Sequence, residues 1–212
     1  MHYNMNIKVS PSILSADFGK LNEEVASIEP ESDILHVDIM DGEFVPNISF
    51  GAPVMKWVKT QLPQDYHLMT VKPWRYFDDF VKAGADRLIV HVEACDDLRG
   101  VLGQIIDAGA KPGVAIKPAT SAESIKGVLD LLDYVLVMTV EPGFSGQSFM
   151  ANMVPKMQQI RDMGFAGDMG PDGGIDDVNA KICAGAGANV MAAASYVFNA
   201  EDRLAALRSL RG

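Results

Sequence analysis

Cysteine is scarce in this chain. Cys95 and Cys183 are the only two in 212 residues, and neither sits in a CxxC spacing or beside other ligand-forming residues. That count argues against a disulfide framework or a thiolate metal cluster, and points to a reduced, cytoplasmic protein with ordinary core thiols. Positive charge is short as well: 18 Lys and Arg face 28 Asp and Glu, for a formal net charge of −10. A nucleic-acid backbone demands a basic footprint, so no nucleic-acid partner is expected. An anionic ligand would have to be met by a local pocket of backbone donors, because there is no positive field to draw it in. Long apolar runs are missing too. No stretch approaches the roughly 18 apolar residues of a membrane span, and the opening Met1 to Asn6 lacks the basic-then-apolar order of a secretory signal. No membrane partner is expected, and residues 1–6 read as a loose amino-terminal tail.

What the chain does contain is a repeating alternation. Short β-branched or aliphatic runs occur at Ile7 to Ser12, Ile34 to Met40, Tyr66 to Met69, Arg87 to His91, Pro112 to Ile116, Tyr134 to Met138 and Val190 to Ala193. Between them lie apolar residues at helical spacing: Phe18, Leu21, Val25 and Ile28; Val54, Trp57 and Val58; Phe77, Phe80 and Val81; Leu98, Val101, Leu102 and Ile105; Val154, Met157, Ile160 and Met163. Thr120 with Glu123 makes a capping-box pattern ahead of Ile125, Val128 and Leu131, and Asn199 is placed to cap a last helix carrying Leu204, Leu207 and Leu210. The seventh strand, within Phe165 to Asp172, is the weakest, because Gly167, Gly170 and Pro171 are poor strand residues. Eight strand-helix units over residues 1–212 predict a single-domain α/β protein, a TIM (β/α)8 barrel; a doubly wound open sheet is the alternative.

In the second strand side chains alternate faces, so His36, Asp38 and Met40 share one side. An imidazole and a carboxylate two residues apart, about 7 Å along the strand, can grip one metal ion or form a hydrogen-bonded pair. Catalytic groups of a barrel sit where strands end. That filter selects Ser12, His36, Asp38, His67, His91, Met138, Asp172 and Ser195. Among them His36, Asp38, His67 and Asp172 make a mixed nitrogen and oxygen set suited to zinc, iron, manganese or cobalt. The plainer readings are a core histidine for His67 and a turn-former for Asp172. Two glycine-rich turns follow late strands: Gly143, Phe144, Ser145 and Gly146 in one, Gly173 and Gly174 in the other. Glycines let successive N–H groups approach a phosphate, and with Ser195 after the eighth strand they suggest a phosphate site; each could equally be a tight turn only.

Several stretches are recognisable. Ser10-Pro11-Ser12-Ile13-Leu14-Ser15-Ala16-Asp17, His36-Val37-Asp38-Ile39-Met40-Asp41-Gly42, His67-Leu68-Met69 and Met138-Thr139-Val140-Glu141-Pro142-Gly143-Phe144-Ser145-Gly146-Gln147 occur in this order. Together they resemble the ribulose-phosphate 3-epimerase family, over about Val9 to Phe198. The resemblance implies a TIM barrel with one divalent metal, zinc first and iron, manganese or cobalt otherwise, that interconverts D-ribulose 5-phosphate and D-xylulose 5-phosphate through an enediolate. It implies His36, Asp38, His67 and Asp172 as metal ligands, and Asp38 and Asp172 as the acid/base pair. Ser12 and His67 match substrate contacts, and Met40, Met69 and Met138 match residues lining the cavity. It assigns phosphate to Gly143, Phe144, Ser145, Gly146, Gly173, Gly174, Ala194 and Ser195, and it implies a homo-oligomer, dimer or hexamer, acting on a small phosphosugar.

Two positions depart from the family pattern. Met169-Gly170-Pro171 precede Asp172 where an acidic and an aliphatic residue are usual, and Ala194-Ser195 replaces Gly-Ser. Proline fixes φ and removes a donor, so the aim of Asp172 is in question. The extra methyl at Ala194 keeps open a six-carbon ketose phosphate such as D-allulose 6-phosphate, and also a phosphosugar-binding barrel without activity. A barrel decarboxylase or synthase would carry Asp-x-Lys-x-x-Asp, and Asp38-Ile39-Met40-Asp41 has no lysine.

Overall fold

A computed structural model describes residues 6–212; the expected loose tail falls almost wholly outside the described residues. Each apolar run becomes a strand: β1 (Lys8–Pro11), β2 (Leu35–Met40), β3 (Gln64–Met69), β4 (Arg87–His91), β5 (Lys111–Ile116), β6 (Tyr134–Met138), β7 (Asp168–Asp172) and β8 (Val190–Ala193). All pair in parallel in the order β1-β8-β7-β6-β5-β4-β3-β2. Between β1 and β2 the ring is joined by a bridge from Ser12 to His36 and by Val9 O, which accepts from Asp33 N–H at 2.9 Å. The arrangement is a (β/α)8 barrel, not an open sheet.

Both faces of the strands are buried, which is why they read as continuous apolar runs. Outward residues such as Val37, Leu68, Val90, Val114 and Val137 meet the surrounding helices, while Ile34, Ile89, Ala115, Tyr134, Leu136 and Val190 fill the interior. The helices are α1 (Leu21–Ile28), α2 (Ala52–Met55), α3 (Phe77–Lys82), α4 (Leu98–Asp107), α5 (Val154–Asp162), α6 (Asp177–Gly185), α7 (Ser195–Phe198) and α8 (Arg203–Ser209), with a 3-10 helix, Ala122–Val128, between β5 and β6. In α1, α4 and α5 the predicted apolar positions bury Leu21, Val25 and Ile28; Val101, Leu102 and Ile105; Met157 and Ile160.

β7 forms despite its glycine and proline. A Cβ at position 170 would lie 2.2 Å from Val190 O and 2.5 Å from the Tyr134 hydroxyl oxygen, so only glycine lets Tyr134 reach across the interior there. Pro171 sits opposite Val137 on β6, and pairing toward β8 narrows to Asp172 with Ala192. The side chain of Asn189 supplies what the ladder lacks, accepting from Met169 N–H at 2.8 Å.

Three local expectations are corrected. Asp202, not Asn199, caps the last helix by accepting from Ala205 N–H; Asn199 lies at the end of α7. Ser121, not Thr120, caps the fifth crossover, and that crossover is 3-10 throughout; the Thr120 hydroxyl is taken by Glu93. The segment around Val54 and Trp57 is one helical turn, too short to present a buried stripe, and Trp57 is 69% exposed.

At the amino-terminal end of the barrel Arg87 closes the floor. It donates to Asp65 at 2.6 Å and to Asp133 at 2.6 and 2.9 Å, and its guanidinium lies 4.7 Å from the centre of the Tyr134 ring. Lys8 and Asn189 hold the neighbouring Asp168.

Candidate metal centre and active site

Parallel strands end together, so residues at their carboxyl ends converge. Inward alternation on β2 aims His36 and Asp38 at the mouth, and the β2–β3 register sets His67 beside Asp38. The last residue of β7 is Asp172, which pairs with Met138 at the end of β6.

One nitrogen or oxygen atom from each of His36, Asp38, His67 and Asp172 lies within 4.8 Å of the others. His67 Nδ1 is 2.8 Å from Asp38 Oδ1 and 3.4 Å from Asp172 Oδ2; His36 Nε2 is 3.3 and 3.9 Å from the same two oxygens. A tetrahedral ion about 2.1 Å from each donor would hold the donors about 3.4 Å apart. His36 supplies an independent sign: both ring nitrogens are buried and neither makes a hydrogen bond. Leaving such groups unpartnered costs on the order of 1–3 kcal/mol each, and a cation facing Nε2 would relieve one of them. The chain thus carries a His2Asp2 group able to hold a divalent metal. Pro171 does not turn Asp172 away from it.

The electrostatics agree. Burial would raise the Asp38 carboxyl, but the charge of His36 and the hydrogen bond and charge of His67 outweigh it and hold the carboxyl far below its usual range. Burial would likewise lower His67, yet contacts with Asp172 and Asp38 lift it to about 9, and the charges of Asp38 and Asp172 raise His36 against its own burial. A dication at the common point of these donors would compete with protons for the same nitrogens.

Above this group opens a cavity of about 280 Å³. Met40, Met69 and Met138, all nearly fully buried, form its apolar side. The lining also includes Gly143, Phe144, Ser145 and Gly146, Gly173 and Gly174, and Ala194 and Ser195. Among the described residues no lysine or arginine lines it. Gly173 and Gly174 take φ of +115° and +66°, and a Cβ at 174 would fall 2.6 Å from Phe149 N. Asn47 Nδ2 donates to Gly143 O at 2.8 Å, tying the loop after β2 to the loop after β6.

Ser12 follows the last residue of β1. It is buried, does not line the cavity, and donates to Asp38 Oδ2 while accepting from Leu14 N–H. It fixes the rotation of the carboxylate, leaving Oδ1 toward the imidazoles. His91, a strand-end candidate left out of the ligand set, touches His67 directly, Nε2 to Nε2 at 2.8 Å. The inward alternation Arg87, Ile89, His91 was the available signal.

A model of the ribulose-phosphate 3 epimerase family matches residues 8–198. The chain is 44% identical to the ribulose-phosphate 3-epimerase of Bacillus subtilis, with 97% of this chain and 99% of that protein aligned. It is also 44% identical to the chloroplastic ribulose-5-phosphate-3-epimerase of Arabidopsis thaliana, over 97% of this chain and 76% of that one. Among solved structures it is similar to a 3-hexulose-6-phosphate synthase at 19% identity, with a TM-score of 0.74 and coverage of 97% of this chain and 98% of that one. A 3-keto-L-gulonate-6-phosphate decarboxylase from Vibrio cholerae is similar at 13% identity, with a TM-score of 0.73 and 97% of both chains covered. At such identities the last two speak for the barrel alone.

Proposed function

Since the chain belongs to the ribulose-phosphate 3 epimerase family and is an isomerase, we propose that it converts D-ribulose 5-phosphate to D-xylulose 5-phosphate with Asp38 and Asp172 as its acid and base. The observation that carries this reading is the placement of both carboxylates at the floor of one cavity, at the same pair of imidazoles. Epimerisation removes the proton on C3, α to the C2 carbonyl, and returns one to the opposite face. One aspartate starts as carboxylate and takes the C3 proton; the other starts protonated and delivers its proton to the far side of the resulting enediolate. A turnover exchanges their protonation states, which readies the pair for the reverse direction.

His36, Asp38, His67 and Asp172 would hold one divalent ion, for which we propose zinc, with iron, manganese or cobalt compatible with the same donors. When bound, that ion supplies positive charge beside the site where negative charge develops. Ser12 holds Asp38 in the rotation this requires. Met40, Met69 and Met138 exclude water from the enediolate face, which limits stray protonation. The phosphate is assigned to the glycine side of the cavity, where with no basic side chain among the described lining residues the donors are backbone N–H groups of Gly173, Gly174 and the 143–146 turn, with Ala194 and Ser195 beside them. A cytoplasmic location, supported by two unpaired cysteines, and a homo-oligomeric state, dimer or hexamer, complete the proposal.

In deuterated water, zinc-loaded protein is expected to form D-xylulose 5-phosphate carrying deuterium at C3. Removing metal with a chelator is expected to lower the rate about a thousandfold, restored by zinc. Product without solvent deuterium, or faster turnover of D-allulose 6-phosphate, would overturn the assignment. The phosphate subsite has its own test. Gly174→Ala places a methyl against Phe149 N and is expected to raise KM about tenfold, the loss of one charge-assisted hydrogen bond of roughly 1.5 kcal/mol, with a smaller change in kcat.

A further inference from the structure

The second nitrogen of His67 leads away from the cavity into a buried chain of contacts. His67 Nε2 lies 2.8 Å from His91 Nε2, and His91 Nδ1 lies 3.2 Å from Glu93 Oε2. The other oxygen, Glu93 Oε1, accepts from Lys117 N–H at 2.7 Å and from the Thr120 hydroxyl. Both imidazoles are fully buried, and Phe44 packs on His91 with ring centres 4.8 Å apart.

Two imidazole nitrogens at this distance share a single proton, and the direction of sharing follows from the far end. Two donors converge on Glu93 Oε1, which favours the ionised carboxylate, an acceptor only. His91 Nδ1 must then carry the hydrogen, so a neutral His91 offers a bare Nε2 and His67 Nε2 donates to it. Neutral His67 is left with a bare Nδ1, the atom that faces Asp38 Oδ1 and Asp172 Oδ2. The chain therefore has one sense, from Glu93 through His91 to the lone pair of His67.

We propose that His91 and Glu93 are positioning residues that fix the tautomer of His67, presenting Nδ1 as a lone pair to the metal. The inference rests on the metal-centre reading given above. It assigns work to a histidine and a glutamate that touch neither the cavity nor the common point of the four donors. Partners of this kind on ligand histidines are worth about 10–100-fold in metal affinity.

Glu93→Gln tests the direction of the chain with almost no change of shape. Lys117 N–H still requires an acceptor, so the amide oxygen stays at Oε1 and the NH2 group faces His91 Nδ1. His91 must then accept at Nδ1 and carry its hydrogen on Nε2, which forces the His67 proton onto Nδ1. Zinc affinity, measured by competition with a chelating dye, is expected to fall 10–100-fold. The cobalt-loaded variant is expected to show an altered visible d–d spectrum, and the Tm of metal-free protein to stay near that of the parent. In the zinc-loaded parent, long-range proton–nitrogen NMR should place the His91 hydrogen on Nδ1, facing Glu93. A His91 hydrogen on Nε2 there, or a variant with unchanged zinc affinity and cobalt spectrum, overturns the proposal while leaving the metal centre intact. A parent protein that binds no zinc or cobalt overturns the metal reading, and this inference with it.

Discussion

Asp172→Asn, assayed at saturating zinc, is expected to lose at least about a thousandfold in kcat for C3 epimerisation, within the range typical of removing a general acid or base. Its Oδ2 is 3.4 Å from His67 Nδ1 and 3.9 Å from His36 Nε2, so the substitution also removes one negative charge from the metal group. Isotope exchange separates the two effects. With Asp38 intact, one face of C3 keeps its base. The variant should therefore exchange the C3 hydrogen of one epimer with solvent far faster than it forms the other epimer. Weakened metal binding alone would slow exchange and epimerisation together, and saturating zinc would restore both. A kcat within tenfold of the parent, or exchange of both epimers at equal rates, would remove Asp172 from the acid/base pair.

How far the sequence reached depended on whether a feature is local to one strand or shared between strands. The His36, Asp38, Met40 face needed only the period of two, and β2 shows that face directed into the barrel. The eight units were visible because strands buried on both faces are written as unbroken apolar runs. β7 was the weakest of them because its glycine and proline answer to neighbours: Gly170 makes room for Tyr134, and Asn189 replaces part of the ladder. Helix starts were misplaced by one to three residues at Thr120 and Asn199, since Ser121 and Asp202 compete for the same role nearby and only the backbone path chooses between them. For the His67–His91 contact the sequence offered only the inward direction of His91. The contact itself depends on the β3–β4 register, in which His67 pairs with Ile89 and His91 lies further toward the mouth. No spacing within either strand encodes that.

The floor of the barrel carries the largest expected effect on stability. Asp65 is 2% exposed, and its one ion-pair partner among the described residues is Arg87. Asp168 keeps Lys8 and Asn189 if the guanidinium is removed, and Asp133 is part-exposed, so the damage falls on Asp65. Breaking a buried pair by deleting one member costs about 3–5 kcal/mol, so Arg87→Met should lower Tm by roughly 6–20 °C in a chain of this size. Acid should reduce the deficit. Burial already raises the Asp65 carboxyl above its ordinary value while Arg87 opposes the shift; without Arg87 the folded-state value rises further. A carboxyl raised in the folded state destabilises it in full above the folded-state value, and the penalty fades as pH falls toward the unfolded-state value near 3.9. The Tm gap between parent and variant should thus narrow from pH 7 to pH 5. Adding Asp65→Leu to Arg87→Met should recover most of the loss at pH 7, because an apolar pair of similar volume leaves no bare charge. A gap under 2 °C at pH 7, or one that widens in acid, would mean that Asp65 is solvated from the barrel floor and that Arg87 does not hold it.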